Sequence, residues 1–322
     1  MSQSQKRGAV VLAVYRPTPA LLEEQLRSLR AQTVTEWRGY VGIDGHDDSA
    51  HALVQQLVGS DERFEVHHFP DNVGVYRNFE RLLGLVPREV DWVALADQDD
   101  SWYPQKFERL VPLLDKPGVS AVLGTARVRG VDGDDRGLTR RRPGDFLSTF
   151  FLNCLTGSLA ILRRDVLDDA FPFPPKSEYA IHDHWLAVRA AARGAIVQSP
   201  EVVQDYVQHA GNVIGEMRPR RMLEVGREIL QTGGLGRYVD RFALGPWIWR
   251  VDMARALTTL QNPPDALPVL EAVGNGVLSW RVLSAVSVHV ARRRLTVVQG
   301  MAMLLAAARW RRTNGRRESR SS

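Results

Sequence analysis

Two rhythms of apolar positions alternate along the first two thirds of the chain. "AVVLAVY" (9–15) is an unbroken apolar run with β-branched residues, the pattern of a strand buried on both faces. "ALLEEQLRSLRAQ" (20–32) then places Leu22, Leu26 and Leu29 at helical spacing. The alternation repeats as strand "WRGYVGID" (37–44), helix "AHALVQQLVG" (50–59), strand "FEVHHF" (64–69), helix "YRNFERLLGLV" (76–86) and strand "DWVALAD" (91–97). Strands that alternate with helices predict a mostly parallel, Rossmann-like α/β sheet with helices on both faces. Ligands of such sheets sit beyond the carboxyl ends of the strands, and Asp44, Asn72 and "DQDD" (97–100) all fall there.

Further on, "SAVLGTARVRG" (120–130) reads as a strand and the polar, Gly-rich stretch 131–145 as a mobile surface loop. "NCLTGSLAILRRDVL" (153–167) has the pattern of a strand entering a helix. A helix (184–194) and a strand "AIVQSPEVV" (195–203) complete the unit. From about residue 216 the spacing is helical, including Arg220–Gln231, Trp247–Gln261 and Gly276–Arg294. The expected division is therefore an α/β domain over 1–215, a basic helical appendage over 216–312 and a disordered basic tail over 313–322.

Charge sharpens that division. Residues 216–322 hold 18 Arg, no Lys and 8 acidic residues, a net +10, so the first 215 carry −5 of the total +5. Lys6 and Arg7 precede a short apolar run as in a signal peptide, but the run stops at Arg16-Pro17 and no cleavage site follows. The late apolar stretch Leu295–Ala308 is too short to span a bilayer. One cysteine, Cys154, excludes an internal disulfide and suits a reducing cytoplasm. The expectation is a soluble, cytoplasmic chain.

The chemistry centres on "VALADQDDSWYP" (93–104), where an apolar run meets Asp97, Asp99 and Asp100. A solvated turn is one reading, because Asp caps turns by bonding nearby amides. A site for a hard divalent cation, whose charge offsets the mutual repulsion, is the other. The triplet alone leaves both open.

In context, the residues resemble glycosyltransferase family 2, inverting nucleotide-sugar transferases of the GT-A fold, and within it the rhamnosyltransferase-like branch. The resemblance covers roughly residues 8–215 and rests on "ADQDDSWYPQKFERL", with "NVGVYRN" upstream and "IHDHWLA" then "QHAGNVIG" downstream, in the family's order. It implies transfer of a sugar from a nucleotide-diphosphate donor to a saccharide or lipid-linked acceptor in cell-surface polysaccharide synthesis, with Mg²⁺ or Mn²⁺. Rhamnose from a dTDP donor is the branch's commonest label. Carried over by position, Asp44, with Gly45 and Asp48, matches the nucleobase turn, although His46 departs from the family's usual Ser. Asn72, Gly74, Arg77 and Asn78 match the loop and helix lining the nucleotide. Asp97 matches the ribose aspartate and Asp99 the metal ligand. Asp183 matches the catalytic base, with His182 where many relatives have Glu. His209, with Asn212, resembles a diphosphate or metal contact, with Val207 in place of the usual Arg. Trp102, Gly157, His182 and Trp185 are candidates for the acceptor or sugar pocket, and Arg140, Arg141 and Arg142 for a solvated loop that can reach an anionic acceptor.

Two other classes fit parts of the pattern. "VALADQDDS" also has the strand-then-D-x-D-x-Ser form of haloacid-dehalogenase phosphotransferases, but three βα units precede it where that family's nucleophilic strand opens the domain. The +10 helical region also suits a protein that grips an anionic surface. Trp247, Trp249, Trp280 and Trp310 favour a membrane interface, with peripheral association at the inner face of the cell membrane, over nucleic acid.

Overall fold

The computed structural model describes residues 6–130, 134–139, 141–208, 222–260 and 266–318. The strands are β1 (Gly8–Val14), β2 (Trp37–Ile43), β3 (Phe64–His68), β4 (Trp92–Ala96), β5 (Ser101–Trp102), β6 (Val119–Gly130), β7 (Asp135–Leu138), β8 (Ala160–Arg163) and β9 (Ala195–Gln208). The helices are α1 (Pro19–Arg30), α2 (Asp48–Val58), α3 (Val75–Leu83), α4 (Lys106–Leu110), α5 (Phe146–Phe151), α6 (His182–Arg193), α7 (Met222–Gln231), α8 (Leu235–Phe242), α9 (Leu244–Thr258), α10 (Leu267–Gly274), α11 (Trp280–Ala291) and α12 (Val297–Glu318).

Two compact units divide the chain. The first comprises 1–143, 153–172 and 182–216, and the second comprises 144–152, 173–181 and 217–322. Two segments expected in the first region, 144–152 and 173–181, thus belong to the second unit.

The first unit is one nine-stranded sheet ordered β3-β2-β1-β4-β8-β6-β9-β5, with β7 on β6. Its β3-β2-β1-β4 half is parallel, while β8 is antiparallel to both β4 and β6. The sheet is therefore parallel over its first half and mixed beyond. In β1, Val10, Val11 and Val14 are fully buried, as an apolar run in a central parallel strand requires. Chain order reverses at β1, which has β2 on one side and β4 on the other, so the crevice beyond their ends is a topological switch point. Gln98 fixes that end: its amide accepts from Tyr15 N (2.9 Å) and donates to Tyr15 O (3.0 Å).

Three sequence expectations are corrected. Within 131–145, Asp135–Leu138 is a strand rather than a mobile loop; its exposed residues lack apolar alternation, and an Arg127–Asp135 ion pair (3.1 Å) adds charge pairing to the β6 ladder. After β8 the chain makes only a short 3₁₀ turn, Arg164–Leu167, not a helix. In the second unit α12 runs to Glu318, past the expected start of the tail at Thr313, because Arg311, Arg312, Arg316 and Arg317 favour helix despite Asn314 and Gly315. No helix among the described residues is long and apolar enough to cross a membrane.

Within the second unit Trp247 and Trp249 are core residues, 2% and 1% exposed, so the interfacial role expected of them does not fit their burial. Trp280 is 72% exposed. The buried Arg250 donates from Nε to Phe151 O (2.9 Å), and burial lowers its guanidinium pKa to about 10. Asp145 caps α5 by accepting from Ser148 N (2.8 Å) and meets His289 Nε2 at 3.0 Å. Burial pushes the Asp145 carboxyl up, but the Ser148 amide and His289 outweigh it and hold it at about 2. That value lies below the unfolded one, so the stabilisation is complete above about pH 4 and is lost as pH falls toward 2. Asp145→Ala should therefore cost about 1 kcal/mol at pH 7, with the gap to wild type closing between pH 4 and 2 in urea unfolding.

Candidate active site

The acidic turn forms because β4 ends at Ala96 in the middle of the sheet, and the next residues must leave it into the switch-point crevice. Asp97 and Asp99 are partly buried, and Asp100 is 5% exposed. Burial, and then the charges of Asp100, Asp183 and Asp99, push the Asp97 carboxyl well above the usual range. Asp100 is raised to about 6, chiefly by burial, against hydrogen bonds from Ser158 and Gln204 and the charge of Lys106. Its Oδ2 is buried without a hydrogen-bond partner.

Beneath the turn lies Lys106, fully buried at the start of α4. Its ammonium donates to Ser158 O and to Gln204 Oε1 (2.8 Å) and lies 3.2 Å from the centroid of the Trp102 ring. Gln204 Nε2 in turn donates to Ser158 Oγ (3.1 Å), so the strand end, the 3₁₀ turn Gly157–Leu159 and β9 share one polar network. Burial lowers the Lys106 pKa, while the Asp100 and Asp97 charges favour its protonated form. Among the described residues, this buried cation faces Asp100 and Asp97, while the charges of Asp99 and Asp183 act on Asp97.

Asp183 opens α6, where the helix dipole favours a carboxylate. Burial would raise its pKa, but the charge and hydrogen bond of His182, the Gly157 amide and Arg141 together bring it below the ordinary value. His182 Nε2 is 2.8 Å from Asp183 Oδ1, and the His182 ring stacks on Phe79 (4.1 Å, 20°). A Cβ at Gly157 would collide with Asp183 Oδ1, so only glycine lets the carboxylate approach that backbone. Arg141 donates from Nε and a terminal nitrogen to Thr156 Oγ1 (3.1 and 2.9 Å), which places it beside Gly157 rather than in a solvated loop.

A second group gathers beyond β2. Asp44, 2% exposed, accepts from Val73 N (2.9 Å), Gly74 N (2.8 Å) and the Arg81 guanidinium (2.7 Å). Those bonds use most of its acceptor capacity and fix the 72–74 loop. Gly74, with φ 79°, caps α3 in a backbone conformation that favours glycine. Asn78 is 1% exposed; its amide donates to Gly42 O (3.0 Å) and accepts from Arg81 Nε (2.9 Å), so it ties α3 to β2 instead of lining a pocket. Arg77 pairs with Glu80, and Asn72 is exposed.

The structure thus gathers Asp97, Asp99, Asp183, His182 and Gly157 in one place, with Asp44, Asn72, Gly74 and Arg77 in the neighbouring loop and helix. Trp102 and Trp185 are corrected to core residues: Trp102, 2% exposed, covers Lys106, and Trp185, 1% exposed, donates to Ala170 O (2.8 Å). His209, Asn212 and Arg140 lie outside the described residues. The clamp of Gln98 was not singled out from the sequence, and Lys106 entered only as the lysine of the motif "ADQDDSWYPQKFERL", without its inward-facing role. Trp102 and Lys106, four apart, were the available signal.

The fold and site can now be set beside known proteins. The glycosyl transferase family 2 model matches residues 9–171, about half of the chain. No curated protein matches. Among solved structures the chain is similar to TarS 1–349 of S. aureus in complex with UDP-GlcNAc, at 15% identity and a TM-score of 0.54, covering 95% of this chain and 92% of that one. It is also similar to TarS 1–349 in complex with UDP, at 16% identity and a TM-score of 0.52, with the same coverage. These neighbours have the GT-A fold. The chain belongs to glycosyl transferase family 2, and it is a glycosyltransferase.

Lys106→Met should strip the one buried cation that the described residues set beneath the turn. Removing one partner of a buried charge cluster costs about 3 kcal/mol or more, and Mn²⁺ should restore part of it by supplying the missing charge. Urea unfolding with and without Mn²⁺ measures both; unchanged stability would show that Lys106 does not balance the carboxylates.

Proposed function

We propose that the chain transfers a sugar from a nucleoside-diphosphate donor to an acceptor hydroxyl, with inversion at the anomeric carbon. What carries this reading is the meeting of an Asp183 kept ionised with the acidic turn of β4. The similar fold of a protein solved with UDP-GlcNAc and with UDP supports a nucleotide-sugar donor. In this reading Asp183 takes the proton of the acceptor hydroxyl, whose oxygen attacks the anomeric carbon as the bond to the diphosphate breaks. His182 orients Asp183 through its 2.8 Å contact, and Gly157 leaves room for both.

The all-oxygen set of Asp97 and Asp99, with the unpartnered Oδ2 of Asp100 beside them, fits a hard cation such as Mg²⁺ or Mn²⁺. Such an ion neutralises the charge that gathers on the diphosphate. His209 is a further candidate ligand. On the nucleotide side, the proposed donor contacts are Asn72 and Arg77, and the bonds of Asp44 and Asn78 that hold their loop and helix support that reading. The acceptor is a saccharide or a lipid-linked saccharide, and the rhamnose label of the resembling branch is the first donor to assay. The exposed Trp280 and the exposed Arg292, Arg293 and Arg294 support peripheral binding of the second unit to an anionic membrane at the cytoplasmic face.

Asp183→Asn keeps the shape and most of the capping ability while removing the basic oxygen. It should lower kcat by about 10²- to 10⁴-fold with donor affinity and melting temperature nearly unchanged. A cap alone would instead lose about 1 kcal/mol or less of stability and keep turnover. Asp99→Ala should abolish turnover and metal-linked nucleotide binding while the fold survives. Full activity of that variant in EDTA would exclude the metal role.

A further inference from the structure

The geometry points to a second metal site, separate from the aspartates of β4: we propose that His46, Asp48 and His68 bind a borderline divalent cation of the zinc class. Four of the chain's 8 histidines, His46, His51, His67 and His68, lie between β2 and the end of β3. One ligand atom each from His46, Asp48 and His68 lies within 4.8 Å of the others. Parallel pairing of β2 with β3 sets Ile43 opposite His68, so the turn that carries His46 and Asp48 starts beside the third ligand.

The rings are already aligned. His46 stacks on His68 with centroids 5.5 Å apart and planes 2° apart, and His51 stacks on His68 at 4.7 Å and 27°. His68 Nε2 accepts a long bond from Asp47 N (3.2 Å), which turns that lone pair toward the His46–Asp48 turn. A metal would take the lone pair in place of the amide. Zinc ligands at about 2.0–2.2 Å from the ion sit closer together than these atoms do, so the site must contract. The side chains of His46 and Asp48 are 75% and 81% exposed, with Nε2 and Oδ2 3.9 Å apart, and are free to move inward.

Two imidazoles and one carboxylate suit Zn²⁺ or Co²⁺, whereas the all-oxygen turn of β4 suits Mg²⁺ or Mn²⁺. Three protein ligands leave a fourth position for water. Bound there, the ion would tie the β2–α2 turn, which also carries Asp44, to the end of β3. The site stands whether or not the proposed transfer is correct.

The test uses the full chain, freed of metal with a chelator and titrated with Co²⁺ and then Zn²⁺, by visible spectroscopy and calorimetry. Wild type should take up one Co²⁺ with the absorption of a tetrahedral nitrogen–oxygen site and lose that band as Zn²⁺ displaces it. Asp99→Ala should keep the band, and the His46→Ala/His68→Ala double variant should weaken Zn²⁺ binding by roughly tenfold or more. Circular dichroism without metal checks that the double variant is folded; if it is not, His46→Ala, at an exposed position, replaces it with the same expected loss. No tetrahedral band in wild type, an undiminished affinity in the histidine variants, or loss of the band in Asp99→Ala overturns the proposal.

Discussion

At the carboxyl end of β4, three carboxylates from one turn and a fourth from α6 share a poorly hydrated space with a single buried ammonium. Their repulsion is the constraint that organises the first unit. Lys106 lies beneath the turn and Trp102 covers it, while Ser158 and Gln204 bond to both Lys106 and Asp100. The same crowding separates the protonation of the carboxylates: Asp97 is pushed up by its neighbours, while Asp183, braced by His182 and the Gly157 amide, is brought down. This separation of carboxyl groups by their environments is what the proposed role of Asp183 as base draws on.

The two halves of the sheet divide the work. The parallel half brings the ends of β1, β2 and β4 to one edge of the sheet, so that Asp44 and Asp97 leave it on either side of β1. The mixed half carries β8, whose preceding 3₁₀ turn supplies Gly157 and Ser158. Asp44 lies at the nucleobase position of the resembling family, but two amides of the 72–74 loop and Arg81 of α3 take most of its acceptor capacity, which makes it a brace for that loop.

Much of this was legible from spacing alone. The first four strands and three helices follow the apolar rhythm closely, because burial on a known face imposes a known period. The order of short motifs located the aspartate turn and Asp183. What escaped had no period to betray it. β7 is exposed and held by backbone and charge pairing, and the residues after β8 turn too briefly to fill a helical repeat. Trp102 and Trp185 sit near the motifs in the chain yet point into the core, and Lys106 is a charge buried by its partners, which no one-dimensional pattern encodes. The β2–β3 histidines gather only once parallel pairing sets two separated stretches side by side.

The division of the chain carries a further consequence. The helical unit is built from the long carboxyl-terminal stretch together with 144–152 and 173–181, so the chain alternates between the units four times before residue 217. Asp145, Phe150 and Phe151, which the helical unit uses as cap and core, are encoded among the strands of the first unit. A module of this kind is not portable. A single recombination point could not exchange it for another, since three separate stretches of the gene would have to be replaced together, and the two units must therefore diverge as one inherited piece.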